Sequence, residues 1–530
     1  MQTTRRQFIQ QLGMTSAALA LSTAFSLDGY SKVKVSLPRS VPELQRVDSA
    51  GILAFLEAIV QSKHEFHSLM IVRHGQVVAE GWWAPYRADL RHTMYSMSKS
   101  FTSTAVGLAI AEGKLKTSDL VVSFFPEDLP PKVSDHLAAL TIKDLLTMSV
   151  GHAVDPTGQG IRDEENWVKM FLALPIPNQP GSTFLYNSMA TYMCSAIVQK
   201  VTGQKLIDYL KPRLFEPLGI EGADWEEDFK GINTGGWGLR VRTEDLAKFG
   251  QLYLQKGVWN GKQLIPKAWV EEATSFHIQQ PSPAKPTRSK EDNDWLQGYG
   301  YQFWRCRHNA YRGDGAYGQY TIVMPDQDAV IAITSETPDM QGILDLVWRH
   351  LLPAMKSQPL PANPASTKLL KQQMSTLALS TPKGKVLRVN AAKVSGQSFR
   401  MESNPQNIES VSLAYREGDT YEWIMKDAKG THKIVCGIGK WAFGETNLPR
   451  PNLVPSQKIR GEKIAKIAAS GVWNDPQTFE ITIRYYESPH RDYVICYFED
   501  DKIRVSFDNS INRMSGAKDK RLPIEGKRIV

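Results

Sequence analysis

Hydrophobic and polar positions follow two different patterns along the chain, and the change falls near residue 357. From Ser68 to Trp83, two β-rich apolar runs surround a His-Gly turn, which is typical of a hairpin. Helical spacing then dominates the middle of the chain. The predicted helices are Met97–Glu112, Thr141–Met148, Glu164–Leu174, Met189–Val201, Leu206–Leu214, Glu244–Gln255 and Pro266–Thr274.

Strand patterns return after a polar, proline-containing stretch, Ser282–Asn293, which we expect to be a mobile surface loop. The predicted strands are Gly298–Arg305, Ala310–Gly313, Gln319–Met324 and Ala329–Thr334, and a helix follows at Met340–Leu352. A hairpin first, helices in the middle, and strands with a helix last predict an α+β domain. Its antiparallel sheet would be formed from both ends of the domain.

The second pattern begins after residues 357–366, whose three prolines are typical of a linker. Short alternating runs follow, separated by glycine, aspartate and asparagine turns: Ser410–Tyr415, Glu422–Met425, Phe479–Tyr486, Asp492–Phe498 and Ile503–Phe507. They predict a small all-β domain over residues 367–530, behind an α+β domain over residues 31–356. A length of 530 residues also favours two folded units.

The amino-acid composition limits the kinds of partner and cofactor that we expect. Hydrophobic residues make up 42% and charged residues 22% of the chain, as in ordinary globular proteins. The net charge of +8 is spread out, and no basic patch with interleaved aromatic residues indicates a nucleic-acid partner. His64 and His67 lack a third ligand, and the four cysteines have no metal-site spacing, so we expect no metal or cofactor. The cysteines are expected to be buried apolar residues, although two of them could pair in an exported protein.

The amino terminus resembles a signal peptide. Arg5 and Arg6 precede an uncharged stretch, Leu12–Phe25, that is too short to span a bilayer. Paired arginines are typical of the twin-arginine signal, so we expect residues 1–30 to direct export, to the periplasm, with no membrane span afterwards. The alternative is an ordinary amphipathic helix.

Candidate chemistry begins with a serine and a lysine three residues apart. The Ser-x-x-Lys pattern occurs five times, at Ser31, Ser96, Ser282, Ser380 and Ser515. Only Ser96 is followed by an apolar segment, Phe101–Ala111, that indicates a buried helix. On a helix, residues three apart share a face, so the Lys99 amine can reach the Ser96 hydroxyl. The start of the helix also favours an oxyanion. The alternative is that Ser96 only caps a core helix.

The segment Tyr95–Ser103 resembles the nucleophile motif of the serine β-lactamase superfamily, in the branch of class C β-lactamases, esterases, D-aminopeptidases and 6-aminohexanoate-dimer hydrolases. Further segments resemble this family in the same order: Ala111–Pro126, Thr141–His152, Gly235–Arg240 and Asp245–Gly250. The resemblance covers residues 65 to 352 and implies a β-lactamase-like fold with Ser96 as nucleophile and Lys99 beside it. It does not extend to the β-rich end of the chain.

The resemblance also implies a second motif, Tyr-x-Asn, at Tyr186-Asn187-Ser188. Tyr186 is then a candidate phenolate or proton shuttle. Asn187 and Ser188 are transposed relative to the family's usual order. If Ser188 stands where the family has asparagine, a contact to a substrate amide is weakened.

The third motif is represented by Gly315–Gln319, on a strand expected beside the nucleophile. A backbone N–H there would complete an oxyanion hole with that of Ser96, and Gln319 is favoured by position, with Gly318 and Tyr317 beside it. Ala316 replaces the family's cationic or imidazole side chain, which would pair with a substrate carboxylate. Arg312 is a possible substitute. Three aromatic residues are candidate pocket walls: Trp237, Tyr299 and Trp304.

These residues predict an exported serine hydrolase that forms an acyl-enzyme on Ser96 with a small ester or amide. The first alternative is a β-lactamase or a peptidoglycan DD-peptidase with the same mechanism. The second is a non-catalytic envelope protein that uses the β-rich end for binding. The retained Ser96, Lys99 and Tyr186 argue against the second alternative, because a binding protein has no need of all three.

Overall fold

A computed structural model describes residues 36–158, 164–282, 287–384, 395–454 and 464–529. The predicted export signal, residues 1–30, lies outside them, as does part of the predicted Ser282–Asn293 loop. Within the described ranges, no helix has the length and apolar character needed to cross a bilayer.

The first part of the chain contains eleven described strands and most of the helices. Its strands are β1 (Glu65–Arg73), β2 (Gln76–Trp82), β3 (His92–Thr93), β4 (Asp224–Trp225), β5 (Leu239–Val241), β6 (Val258–Trp259), β7 (Lys262–Gln263), β8 (Trp304–Arg305), β9 (Tyr311–Gly315), β10 (Gln319–Met324) and β11 (Ala329–Glu336). Its helices are α1 (Ser49–Gln61), α2 (Ser98–Ala111), α3 (Asp135–Ala139), α4 (Ile142–Leu146), α5 (Trp167–Ala173), α6 (Ser188–Thr202), α7 (Leu206–Leu210), α8 (Glu216–Leu218), α9 (Thr243–Leu254), α10 (Lys267–Ala273), α11 (Met340–Leu346), α12 (Leu352–Ala354) and α13 (Pro364–Ser375).

Six strands form an antiparallel sheet in the order β2-β1-β11-β10-β9-β8. The predicted first hairpin pairs with the last strand, as in Leu69 opposite Ile333, so both ends of the domain build one sheet. Helix α9 packs on one face, where Gly250 brings it close to Val330. Apolar side chains of α1, α11 and α13 cover the other face. The predicted α+β architecture is confirmed.

The predicted strand at Gly298–Arg305 is wrong over most of its length, because only Trp304 and Arg305 are extended in a ladder. Gly298 and Gln302 adopt positive φ angles, which interrupt a strand. The predicted helix at Met340–Leu352 begins as expected but passes through a wider turn at Val347–Leu351.

The second part of the chain is a β-barrel. Its strands are β12 (Gln397–Met401), β13 (Ile408–Arg416), β14 (Thr420–Asp427), β15 (Gly430–Ile438), β16 (Ala442–Thr446), β17 (Ala465–Trp473), β18 (Thr478–Tyr485), β19 (Arg491–Glu499), β20 (Lys502–Asn509) and β21 (Ile524–Arg528), with a short helix α14 (Ser510–Ser515). A parallel pairing of β15 with β17 closes the antiparallel sheet. Alternate residues such as Val411 and Leu413 face an apolar core. The predicted all-β domain is confirmed.

The barrel begins later than predicted. Residue 367 lies inside helix α13, which Asn363 caps and Pro364 opens. Leu370 and Met374 lie four residues apart on one helix face and pack into the core of the first domain. The segment that follows the prolines therefore covers the first sheet before the chain enters the barrel.

Candidate active site

The candidate nucleophile lies in a short turn immediately before helix α2. Tyr95, Ser96 and Met97 form one turn of 3₁₀ helix, and Tyr95 adopts a φ of +47°. Ser98 stabilises the turn, because its hydroxyl donates to the Tyr95 carbonyl at 2.6 Å and accepts the Leu239 N–H at 3.1 Å. Helix α2 behind the turn is buried through Ala109, as its apolar sequence predicts.

Lys99 lies one turn into this helix and is buried against three oxygens. Its Nζ is 3.2 Å from Ser96 Oγ, 2.9 Å from Ser188 Oγ and 2.6 Å from the Gly236 carbonyl. Burial lowers the pKa of Lys99 to about 7, against the nearby carboxylates of Asp155 and Asp314, which raise it. A neutral amine has two donors and one lone pair, so it can donate to two of these oxygens and accept the Ser96 proton.

The Gly236 carbonyl is a functional contact that the sequence analysis missed. A side chain at Gly236 would come within 2.6 Å of the Ser188 carbonyl, so only glycine lets this loop approach helix α6 closely. The glycine-rich run Gly235–Gly238 was the available signal.

Tyr186 packs over the lysine. Lys99 Nζ is 4.9 Å from the centre of the Tyr186 ring, and Trp304 stacks on that ring at 5.9 Å. Burial raises the pKa of Tyr186 well above its usual value, although a hydrogen bond to Ser96 acts in the opposite direction. This environment favours the protonated phenol, so of the two roles considered for Tyr186, proton shuttle fits better than phenolate.

The two transposed residues, Asn187 and Ser188, have different contacts. Ser188 lines the cavity and bonds Lys99. Asn187 instead caps helix α6, because its side-chain oxygen accepts the Ala190 N–H at 3.1 Å and its amide bonds His152. Asn187 is therefore not among the described residues that line the cavity, and Ser188 occupies the place beside the lysine.

The third motif lies beside the nucleophile, as predicted, but the residues of it that face the cavity are not the expected ones. Gly315 lies against the nucleophile turn, where a Cβ would be 2.0 Å from the Met94 carbonyl, and Ala316 lines the cavity. The Gly318 N–H donates to the Gly315 carbonyl at 3.0 Å. Gln319 is buried within the sheet, and its amide donates to the Ala316 and Ser335 carbonyls.

Gln319 and Gly318 are therefore not among the described residues that line the cavity, and the Gln319 side-chain amide and the Gly318 N–H already have partners. Tyr317 is also not among the described residues that line the cavity, and its ring lies 6.2 Å from that of Tyr95. Ala316 is the residue of this motif that reaches the cavity, and the close approach of Gly315 explains why.

These elements surround a cavity of about 550 Å³. Its described lining residues are Tyr95, Ser96, Asp155, Thr157, Tyr186, Ser188, Trp237, Gln280, Trp295, Trp304, Asp314, Ala316, Met340, Leu453 and Val454. Among them are two carboxylates and no lysine, arginine or histidine. The candidate walls Trp237 and Trp304 line the cavity, whereas Tyr299 packs behind Trp304 at 4.7 Å.

Arg312 does not take the place of the missing cation. It is fully buried, and its guanidinium donates to Asp314 at 2.8 Å and to the Asp294 carbonyl at 3.0 Å. The expectation that Arg312 might meet a substrate carboxylate is therefore wrong.

Two of the lining residues, Leu453 and Val454, belong to the barrel. Arg450 anchors this segment, because its guanidinium donates to Thr93 Oγ1 at 3.1 Å and to Glu226 at 3.2 Å. This wall could not be predicted, since nothing in the alternating pattern of the barrel sequence shows which of its loops meets the first domain.

The histidines and cysteines have structural neighbours. His67 contacts Glu65 and His92 through its two ring nitrogens, both at 3.1 Å, and His64 contacts Thr337. The part of the chain that the structure describes contains no group of three or more side chains suited to a metal ion. The four cysteines, all within the described ranges, are buried and free.

Comparison with known proteins identifies the family. The family model described as Beta-lactamase matches residues 59–352, slightly more than half of the chain. The chain belongs to the beta-lactamase family. Its fold is that of the family's serine hydrolases, as the resemblance predicts, and the match ends before the barrel.

Relatives of this beta-lactamase family member include a 6-aminohexanoate-dimer hydrolase from Paenarthrobacter ureafaciens, 27% identical over 291 residues, which are 51% of this chain and 73% of that protein. A protein of Escherichia coli strain K12 with the provisional name D-alanyl-D-alanine carboxypeptidase is 26% identical over 244 residues, 40% of this chain and 55% of that protein. The octameric penicillin-binding protein homologue from Pyrococcus abyssi is 16% identical, with a TM-score of 0.45 over 90% of this chain and 99% of that one.

Proposed function

We propose that the protein is a serine hydrolase that forms and hydrolyses an acyl-enzyme on Ser96 with a small ester or amide. The observation that carries the proposal is the buried Lys99 amine, in contact with Ser96 Oγ and with a pKa lowered to about 7. A lysine of this kind is half deprotonated near neutral pH and can act as a general base.

The reaction follows from the contacts. Ser96 Oγ attacks the carbonyl carbon while its proton passes to neutral Lys99, and the N–H groups of Ser96 and Ala316 hold the oxyanion. The Tyr186 phenol, hydrogen-bonded to Ser96, gives its proton to the leaving nitrogen or oxygen as its bond to carbon breaks, and protonated Lys99 replaces that proton and becomes neutral again. Water then attacks the acyl-enzyme and gives a proton to neutral Lys99, which passes it to Ser96 Oγ as the ester bond breaks, so that the acid and free Ser96 are released.

The cavity supports a substrate class. A volume of about 550 Å³ is suited to a small molecule, and aromatic walls favour an apolar chain. Asp155 in the lining repels a carboxylate, whereas Asp314 is paired with the buried Arg312 at 2.8 Å, and the described lining contains no cation that would bind such a group. We therefore infer neutral or cationic esters and amides rather than β-lactams or D-alanyl peptides. The name of the 6-aminohexanoate-dimer hydrolase supports a small substrate.

A labelling experiment tests the proposal. Purified protein is treated with a fluorophosphonate probe or with a labelled penicillin, and the adduct is located by mass spectrometry. We expect phosphonate on Ser96, none on the S96A variant, and little penicillin adduct. Ser515, another serine of the Ser-x-x-Lys pattern but exposed, gives the matched control S515A, which should label normally.

The outcomes separate the alternatives. Efficient penicillin labelling of Ser96 would favour the β-lactamase or DD-peptidase alternative. No adduct with either probe, or one on another residue, would contradict the hydrolase and leave the non-catalytic binding protein.

We further propose export through the twin-arginine pathway to the periplasm, supported by Arg5, Arg6 and the apolar stretch that follows. Replacing both arginines with lysine in a tagged chain should retain the protein in the cytoplasm. Equal periplasmic amounts of the two versions would contradict this route.

A further inference from the structure

A hairpin turn of the barrel is bound to the segment that leads to the nucleophile. The turn between β18 and β19 accepts the Thr93 N–H on its Glu487 carbonyl at 3.0 Å and the Tyr86 hydroxyl on its Ser488 carbonyl at 3.0 Å. The next residue but one, His490, is fully buried and lies beside the nucleophile turn Tyr95–Met97.

His490 holds the side chain of the residue that precedes Ser96. Its Nε2 is 2.6 Å from the Tyr95 hydroxyl, and Tyr95 is buried. Tyr95 adopts a φ of +47°, a conformation that bulky side chains avoid unless their surroundings impose it. The bond to His490 is such a constraint, because it fixes the far end of the ring whose backbone orients the Ser96 N–H and side chain.

The other ring nitrogen of His490 fixes its protonation pattern. Nδ1 is 2.6 Å from Glu336 Oε1 at the end of strand β11. Arg491 donates to the second oxygen of Glu336 at 2.7 Å, and Ser510 also donates to this carboxylate. Because a carboxylate only accepts, Nδ1 carries a proton, and in the neutral imidazole Nε2 accepts the Tyr95 hydroxyl.

The same imidazole contacts the other side of the proposed oxyanion hole. Its ring centre lies 4.8 Å from that of Tyr317 at an interplanar angle of 90°. Tyr317 follows Ala316 directly and also has a positive φ, +66°. One buried barrel histidine therefore packs on two tyrosines with positive φ, each a direct neighbour of a proposed oxyanion donor.

We propose that His490 is a positioning residue for the reaction, through which the barrel fixes Ser96 and Ala316 in the geometry needed for acylation. The inference rests on the proposed function of Ser96. It gives the barrel, which the beta-lactamase family match does not include, a part in the catalytic step.

Three variants of the full-length protein test the inference. H490F keeps a planar ring but removes both hydrogen bonds. H490Q retains one donor and one acceptor on a planar group and should restore much of the loss. Y95F removes only the hydroxyl and leaves the ring in the cavity wall. Y497F is the matched control, because this tyrosine hydroxyl bonds Gln477 on the barrel surface.

The readouts are the rate of Ser96 phosphonylation and the kcat and KM for p-nitrophenyl acetate. H490F and Y95F should lower kcat and the phosphonylation rate by about 10-fold to 100-fold, because a small displacement of reacting groups costs that much. The KM of H490F should stay within about twofold, since His490 is not among the described residues that line the cavity. H490Q should recover most of the rate, and Y497F should match the wild type.

The outcomes distinguish this inference from the proposed function. A folded H490F variant that is phosphonylated at the wild-type rate, or that changes only KM, would overturn the inference alone. If H490F does not fold, as judged by circular dichroism, wild-type kinetics in Y95F would overturn it equally. An unlabelled wild-type protein would overturn the proposed function and, with it, this inference.

Discussion

Two of the charged groups that the fold removes from water, Lys99 and the cluster around Glu65, are accommodated in opposite ways. Lys99 is hydrogen-bonded only to uncharged oxygens among the described residues, and burial lowers its pKa to about 7. At the barrel interface, Glu65 meets Arg484 and Arg491, each at 2.7 Å. Burial alone would raise the pKa of Glu65, but Arg484, with His67 and Arg491, holds it well below its usual range.

The difference indicates what each group is for. A buried charge with a partner stays charged and links two elements, whereas a buried amine with neutral neighbours loses its proton easily and can accept another. The paired charges join the barrel to the first sheet, and the single amine is suited to the proton transfer proposed above. Variants that remove the paired charges should therefore affect stability, and variants that remove the Lys99 amine should affect rate.

The largest expected effect is on rate, at Lys99. K99M removes the base and should lower kcat by about 10³-fold to 10⁴-fold, near the upper range for general base catalysis. The free energy of unfolding should stay the same or rise, because the variant no longer buries an amine. Ester hydrolysis and urea unfolding measure the two quantities.

K99R serves as the matched control, since it keeps the charge but cannot release its proton near neutral pH. It should be as inactive as K99M. Appreciable activity in either variant would contradict the role of Lys99 as base.

The second effect is on stability, at Arg484. R484M leaves Glu65 without its main partner and should lower the free energy of unfolding by about 3 kcal/mol, as measured by urea denaturation. Arg416, which pairs with Glu422 on the barrel surface, provides the control R416M. An exposed pair of this kind contributes about 0 to 1 kcal/mol, so equal losses in both variants would contradict the proposed importance of the interface.

The third effect is on rate, at Tyr186, whose ring packs over Lys99. Y186F removes the hydroxyl that is hydrogen-bonded to Ser96 while keeping the ring that stacks on Trp304. We expect kcat to fall about 100-fold with little change in KM, as for a lost proton shuttle. Esters with better leaving groups need less protonation, so their loss should be smaller. An equal loss for all leaving groups would indicate a structural role instead.

The features of this protein that could be predicted from the sequence are those that depend on residues close together along the chain. The helix behind Ser96 and the approach of Lys99 follow from spacing along one helix, and the structure shows both. The first hairpin and the last strand could be predicted to share a sheet because their apolar patterns are strong. The contacts of Gly236, Leu453 and His490 could not, because each depends on which loops meet in space. The burial of the Gln319 side chain could not be predicted for the same reason, since its pairing within the sheet is a long-range property.

The smallest effect is a shift in pH dependence, and it tests the electrostatic surroundings of Lys99 most directly. If Lys99 must be unprotonated to act, kcat/KM should rise with pH through about 7 and then level off. Asp155 raises the pKa of Lys99, so D155N should lower that pKa and move the rise to lower pH. The exposed Glu57 on helix α1 supplies the control E57Q, whose profile should overlay that of the wild type. A D155N profile that moves to higher pH would show that the titrating group is not a buried amine near this carboxylate.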